Sequence, residues 1–138
     1  MKINTYLLII SVSLICAGCP DEDQITDSTV TIINKTNESI IYYSINKPKA
    51  DTLLTSIPYP ITVENSDSVE TNSSAKFGGP FKKLLNDSSS DILMIYLFSR
   101  DTIEQVAWER IVDENLILRR YDLTLEDLEA MDWTVEYP

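Results

Sequence analysis

The sequence contains no histidine, only two cysteines and only three glycines. Without histidine there is no imidazole to activate a nucleophile, to ligate a metal or to serve as the commonest general base. The cysteines, Cys16 and Cys19, sit close together near the N-terminus, so thiol catalysis and zinc–thiolate sites are excluded from the rest of the chain. Basic residues are scarce as well, with 11 Lys and Arg against 22 Asp and Glu and a formal net charge of −11. Such a surface offers no basic patch for phosphate neutralisation, which excludes nucleic acid as a partner. It gives no electrostatic hold on anionic lipid either.

No apolar run is long enough to span a bilayer. The longest, Tyr6 to Ile15, is about ten residues, and a spanning helix needs roughly 20. It follows Lys2 and leads into the small residues Ala17 and Gly18, the layout of a cleaved export signal. Leu14-Ile15-Cys16-Ala17-Gly18-Cys19 resembles the lipobox of a bacterial lipoprotein, with Cys16 in the place of the usual Leu. The resemblance implies cleavage after residue 18 and acylation of Cys19. Each buried methylene contributes about 0.8 kcal/mol, and stable anchoring takes two or more acyl chains, which the diacylglyceryl group implied for such a cysteine supplies.

Pro20-Asp21-Glu22-Asp23 follows at once. It resembles the acidic export signal of Bacteroidetes lipoproteins, which implies delivery of the protein to the outer face of the outer membrane through Asp21, Glu22 and Asp23. The alternative is a solvated acidic tether at the periplasmic face. The chain therefore divides into a signal peptide (1–18), a tether (19–28) and one globular domain (29–138). With the signal removed about 120 residues remain, enough to bury a core without staples. Acylation of Cys19 leaves no disulfide, so the fold rests on packing alone.

Thr29 to Ile33 alternates polar and apolar and predicts a half-buried strand. Ser39 to Ile45 predicts a second, and the turn cluster Asn34–Glu38 between them suggests a hairpin. Residues 46–75 are rich in Ser, Thr, Asn and Asp and include three prolines, so they read as irregular, with a short edge strand over 61–64 and Tyr59 as the aromatic of a contact surface. Phe77 to Leu85 reads as a Gly turn and a short helix with Pro80 near its first position. Asp91 to Ser99 is apolar on both faces and predicts a central strand covered on both sides. Asp101 and Glu104 suggest a capping box opening one main helix, Thr102 to Asp113, with Trp108 packed in the core. Leu116 to Leu123 and Trp133 to Tyr137 predict the last strands, with a helical turn from Thr124 to Met131 between them.

The expected fold is α+β: an antiparallel sheet of about five to seven strands with one main helix. A two-sheet β-sandwich with short helices is the alternative. Arg120-Tyr121-Asp122-Leu123-Thr124-Leu125-Glu126-Asp127-Leu128 with Trp133-Thr134-Val135-Glu136-Tyr137-Pro138 resembles the ending of a family of small Bacteroidetes lipoproteins. That family brings no activity with it, so the resemblance bears on address alone.

Few residues of the chain are set in patterns that carry chemistry. Ser44-Ile45-Asn46-Lys47 and Ser73-Ser74-Ala75-Lys76 match a Ser-x-x-Lys spacing, but the companion Ser-Asp-Asn and Lys-Thr-Gly elements are missing. Carboxylates are abundant, as at Asp113-Glu114, and a glycan hydrolase built on a carboxylate pair is a minor alternative. No calcium-loop pattern is present, and no cofactor is implied. Asp27-Ser28-Thr29, Asp51-Thr52-Leu53 and Asp67-Ser68-Val69 resemble the Asp-Ser/Thr-apolar signal for O-glycosylation in Bacteroidetes, which implies glycan on Ser28, Thr52 or Ser68. The sequence thus points to a non-enzymatic surface lipoprotein that binds an envelope protein or an extracellular glycan or protein, or to an accessory subunit of an envelope complex.

Overall fold

The computed structural model describes residues 27–47, 57, 60–86 and 91–138. The chain forms β1 (Ser28–Asn34), β2 (Ile40–Lys47), β3 (Asp67–Val69), β4 (Ser73–Gly79), α1 (Phe81–Asn86), β5 (Ile92–Ser99), α2 (Arg100–Gln105), α3 (Trp108–Asp113), β6 (Arg119–Leu123), α4 (Leu125–Ala130) and β7 (Thr134–Tyr137). The fold is α+β, and its seven strands form two sheets, ordered β4-β1-β7 and β3-β2-β5-β6. All strand pairs are antiparallel except β1 with β7.

Strand β5 is the centre of the molecule, and Ile92 to Phe98 are all buried. Alternation along a strand sends successive side chains to opposite faces. Leu93, Ile95 and Leu97 therefore enter the core between the sheets, with Val30, Ile32, Ile40 and Val135. Met94, Tyr96 and Phe98 enter a second core with Ile41, Ile57, Ile61, Ile103 and Ile111. Helices α2 and α3 cover that second face, so the domain has three layers.

The hairpin expected of β1 and β2 does not form, because the two strands lie in different sheets. The reason is legible in their faces. β1 is apolar on one face only and suits the outer sheet; β2 is apolar on both and belongs beside β5, between the two cores. The single helix expected over 102–113 is two helices. Val106 and Ala107 leave helical geometry, at φ/ψ of −114°/133° and −61°/140°, and this break lets Ile103 and Ile111 both seat on the sheet. Asp101 does not cap α2: the helix begins after Ser99, and Glu104 pairs with Arg100. The capping box lies instead at α4, where Thr124 accepts from the Asp127 amide and Asp127 accepts from the Thr124 amide.

Two further corrections concern the polar stretch. The strand expected over 61–64 falls at 67–69; Ile61 turns into the second core, and Asn65 ties the turn after it by bonds to Thr62 and Pro60. Ser73 to Gly79, read as loop and Gly turn, is β4, paired along all seven residues with β1. Gly79 is required there for space: a Cβ would lie 2.8 Å from the Phe81 ring, which is buried. Gly79→Ala is expected to destabilise the domain by about 1–3 kcal/mol through overpacking, measurable as a lower urea midpoint.

The chain enters the described fold at Asp27, whose carboxylate accepts from the Lys82 and Lys83 amides at 3.1 and 2.9 Å and so closes the first turn of α1. Lost hydration opposes its charge, but the Ser28 hydroxyl, the two amides and the Lys82 charge outweigh that and hold the carboxyl below its ordinary range. A depressed folded pKa stabilises above the unfolded value, about 3.9, and is lost as pH falls through the folded one. Asp27→Asn is therefore expected to lower stability at neutral pH and to flatten its decline below about pH 4, as read from urea melts across pH.

Candidate functional site

The end of the sandwich opposite Asp27 gathers polar groups. β1 separates the two ends by seven residues, roughly 20 Å. At its far end Asn34 follows Val30 and Ile32 on the inward face, and it is fully buried. Its Nδ2 donates to the carbonyls of Glu38 (2.7 Å), Val69 (3.2 Å) and Glu70 (3.1 Å), and its Oδ1 accepts from the Thr36 amide and hydroxyl. One amide thus fastens loop 35–39 to turn 70–72, as burial of a polar group requires.

Asn72 sits in that turn at φ 49°, the left-handed region Asn tolerates. Its amide donates to Thr36 O and its Nδ2 to Asn37 Oδ1. Ser39 Oγ donates to Glu70, and Arg100 joins Glu70 at 3.4 Å and Glu104 at 2.8 Å. Hydrogen bonding and charge from Glu104, with the charge of Glu70, raise the guanidinium further above its already high value. Arg100 stays a cation at every relevant pH.

Two shallow depressions flank this ridge, each of about 370 Å³. Lys35, Asn72, Ser73 and Ser74 line one; Asn37, Glu38, Ser39, Thr71, Arg100 and Asp101 line the other. A third, about 200 Å³, lies on the flank beside Tyr42, Asp67 and Phe77. Burial first, then Asp67, pushes the Tyr42 hydroxyl up to about 12, so it holds its proton and serves packing against Phe77.

The arrangement suits binding better than proton transfer. Glu70 and Glu104 share one guanidinium on an exposed surface, whereas an acid that keeps its proton at neutral pH needs an apolar pocket. Ser73 and Lys76 lie three apart on a strand, which sends them to opposite faces. Among the described residues no group of three metal-ligating side chains forms, and no helix is long and apolar enough to cross a membrane.

Of the residues singled out in the sequence, Cys19, Asp21, Glu22, Asp23, Thr52 and Tyr59 lie outside the described residues. Ser28 is half-buried at the start of β1 and donates to Asp27 at 2.6 Å; Ser68 is exposed on β3, opposite Ile41. The structure does not bring these two together. Of the stretch 46–75, turn 70–72 and the first residues of β4, Ser73 and Ser74, lie beside the two depressions, while Ala75 packs against the inner core. Sequence reasoning missed Asn34, Asn37 and Arg100, although an Asn at the third inward position of β1 is a legible anomaly. Comparison with known protein families, curated proteins and solved structures finds no match for this chain.

Proposed function

We propose that this chain is a lipid-anchored outer-membrane protein whose domain is a non-enzymatic binding module, displayed on the cell surface. The observation that carries the reading is the polarity of the domain. The tether ends at the start of β1, and the polar rim lies at the other end of that strand, about 20 Å away, at the end of the domain remote from the attachment of an anchor through Cys19. The tether adds up to roughly 30 Å of reach. Ser68, exposed on β3, suits glycan better than Ser28, whose hydroxyl is engaged with Asp27.

Labelling cells with an alkyne fatty acid tests the anchor. Wild type is expected to carry label and to sediment with membranes, and Cys19→Ser to lose both. A wild-type chain without label sinks the reading, and the intact mass of the same preparation reports any glycan on Ser28, Thr52 or Ser68.

A further inference from the structure

We infer that the depression between loop 35–39, turn 70–72 and the start of α2 binds a neutral saccharide. This rests on the reading of the rim as the contact surface and adds the ligand's chemistry.

Charge makes the first selection. Glu38 and Asp101 line the depression, with Glu70 and Glu104 beside it, so an anion meets four carboxylates for one Arg100. A bare cation meets the guanidinium itself, which occupies the point where Glu70 and Glu104 converge. What suits such a lining is an uncharged ligand that both donates and accepts hydrogen bonds. Arg100 uses two of its five N–H donors on those carboxylates and shares the lining with the acceptors Asp101 and Glu38. The Thr71 and Ser99 hydroxyls and the Asn37 amide work in either sense. Paired hydroxyls on a sugar ring match alternating donors and acceptors of this kind.

Apolar character makes the second selection. Among the described residues no apolar side chain lines this depression, whereas protein partners bind through buried apolar or aromatic anchors with a polar rim around them. The frame is also fixed in advance by Asn34, Asn72 and the Ser39–Glu70–Arg100 chain, which lowers the ordering cost of binding. With no aromatic ring among the described lining residues to stack a sugar, each site is weak. A membrane-anchored array on a polymeric ligand compensates by avidity.

The test uses liposomes bearing the full mature lipidated protein, with fluorescent dextran, mannan and xylan as neutral probes, polygalacturonate as an anionic probe and chitosan as a cationic one. At least one neutral polymer is expected to be retained, with polygalacturonate and chitosan at background. Arg100→Ala should lower retention about tenfold and Asn37→Ala, an exposed side chain, about fivefold, with thermal melts verifying the fold of each variant. Retention of no neutral polymer, stronger retention of either charged one, or variants equal to wild type would overturn the saccharide inference. In-cell photo-crosslinking from position 37 separates the two levels. A stoichiometric protein partner lost in Asn72→Arg, with no polymer retained, leaves the rim reading standing and removes the saccharide. Neither polymer nor partner dependent on the rim removes both.

Discussion

Phe98→Ala is expected to destabilise the domain by about 3–5 kcal/mol. Phe98 has no exposed surface and lies on the face of β5 that supports the helices. Its ring is 6.4 Å from Tyr96 and 6.0 Å from Trp108, the first residue of α3. Helices α2 and α3 have six residues each, far below the ~12–15 at which a helix persists alone. Their stability therefore comes from Phe98 and its neighbours, and a cavity there loosens the sheet and the helical layer together. Domains of this size are stable by about 5–15 kcal/mol, so the variant should sit close to its unfolding threshold. Urea denaturation reads this as a lower midpoint at unchanged slope. A loss below about 1 kcal/mol would mean that the second core is not packed as described.

Asn34→Ala is expected to cost about 2–3 kcal/mol although it removes no apolar contact. The substitution removes the Asn34 donor from the carbonyls of Val69, Glu70 and Glu38, of which Glu38 still accepts from the Thr36 hydroxyl, and removes the acceptor of the Thr36 amide. Water can serve the outer groups, which keeps the estimate near the value for one or two lost buried bonds rather than all five. Asn34→Asp is the informative companion. It keeps the acceptor for Thr36, loses the Nδ2 donor to three carbonyls and buries a charge, so its loss should equal or exceed that of alanine. An Asn34→Asp variant as stable as wild type would show that the Nδ2 bonds contribute nothing. Amide hydrogen exchange should locate the damage in residues 35–39 and 70–72 for both variants.

The elements legible in the sequence were those whose pattern reflects burial directly. Asp91 to Ser99 is apolar on both faces and became the buried β5; Trp133 to Tyr137 alternates, and Thr134 to Tyr137 became β7 while Trp133 stayed in the preceding turn at φ 55°, with Trp133, Val135 and Tyr137 against the inner core. What was hidden was decided by pairing across the chain. β4 is Ser, Ala, Lys, Phe and Gly, a composition with little strand preference of its own, and it is a strand because β1 offers seven residues of ladder. The sheet assignment of β1 and β2 depended on which strand has two apolar faces, a comparison that the nearby turn cluster masked. The break at Val106–Ala107 satisfies the sheet surface rather than the helix. Of the rim residues, 70–74 fall in the polar stretch 46–75, while Arg100 and Asn37 carried no periodic signal. The α4 capping box was readable, since Thr124 and Asp127 hold the required spacing.

Protease shaving of intact cells of the native host tests surface display most directly. Wild type is compared with a variant whose Asp21, Glu22 and Asp23 are all changed to Ala, and a periplasmic protein serves as the control for envelope integrity. The expected result is cleavage of wild type and protection of the variant, with the control intact. Protection of both would place the domain on the periplasmic side and contradict the account of a module displayed at the cell surface.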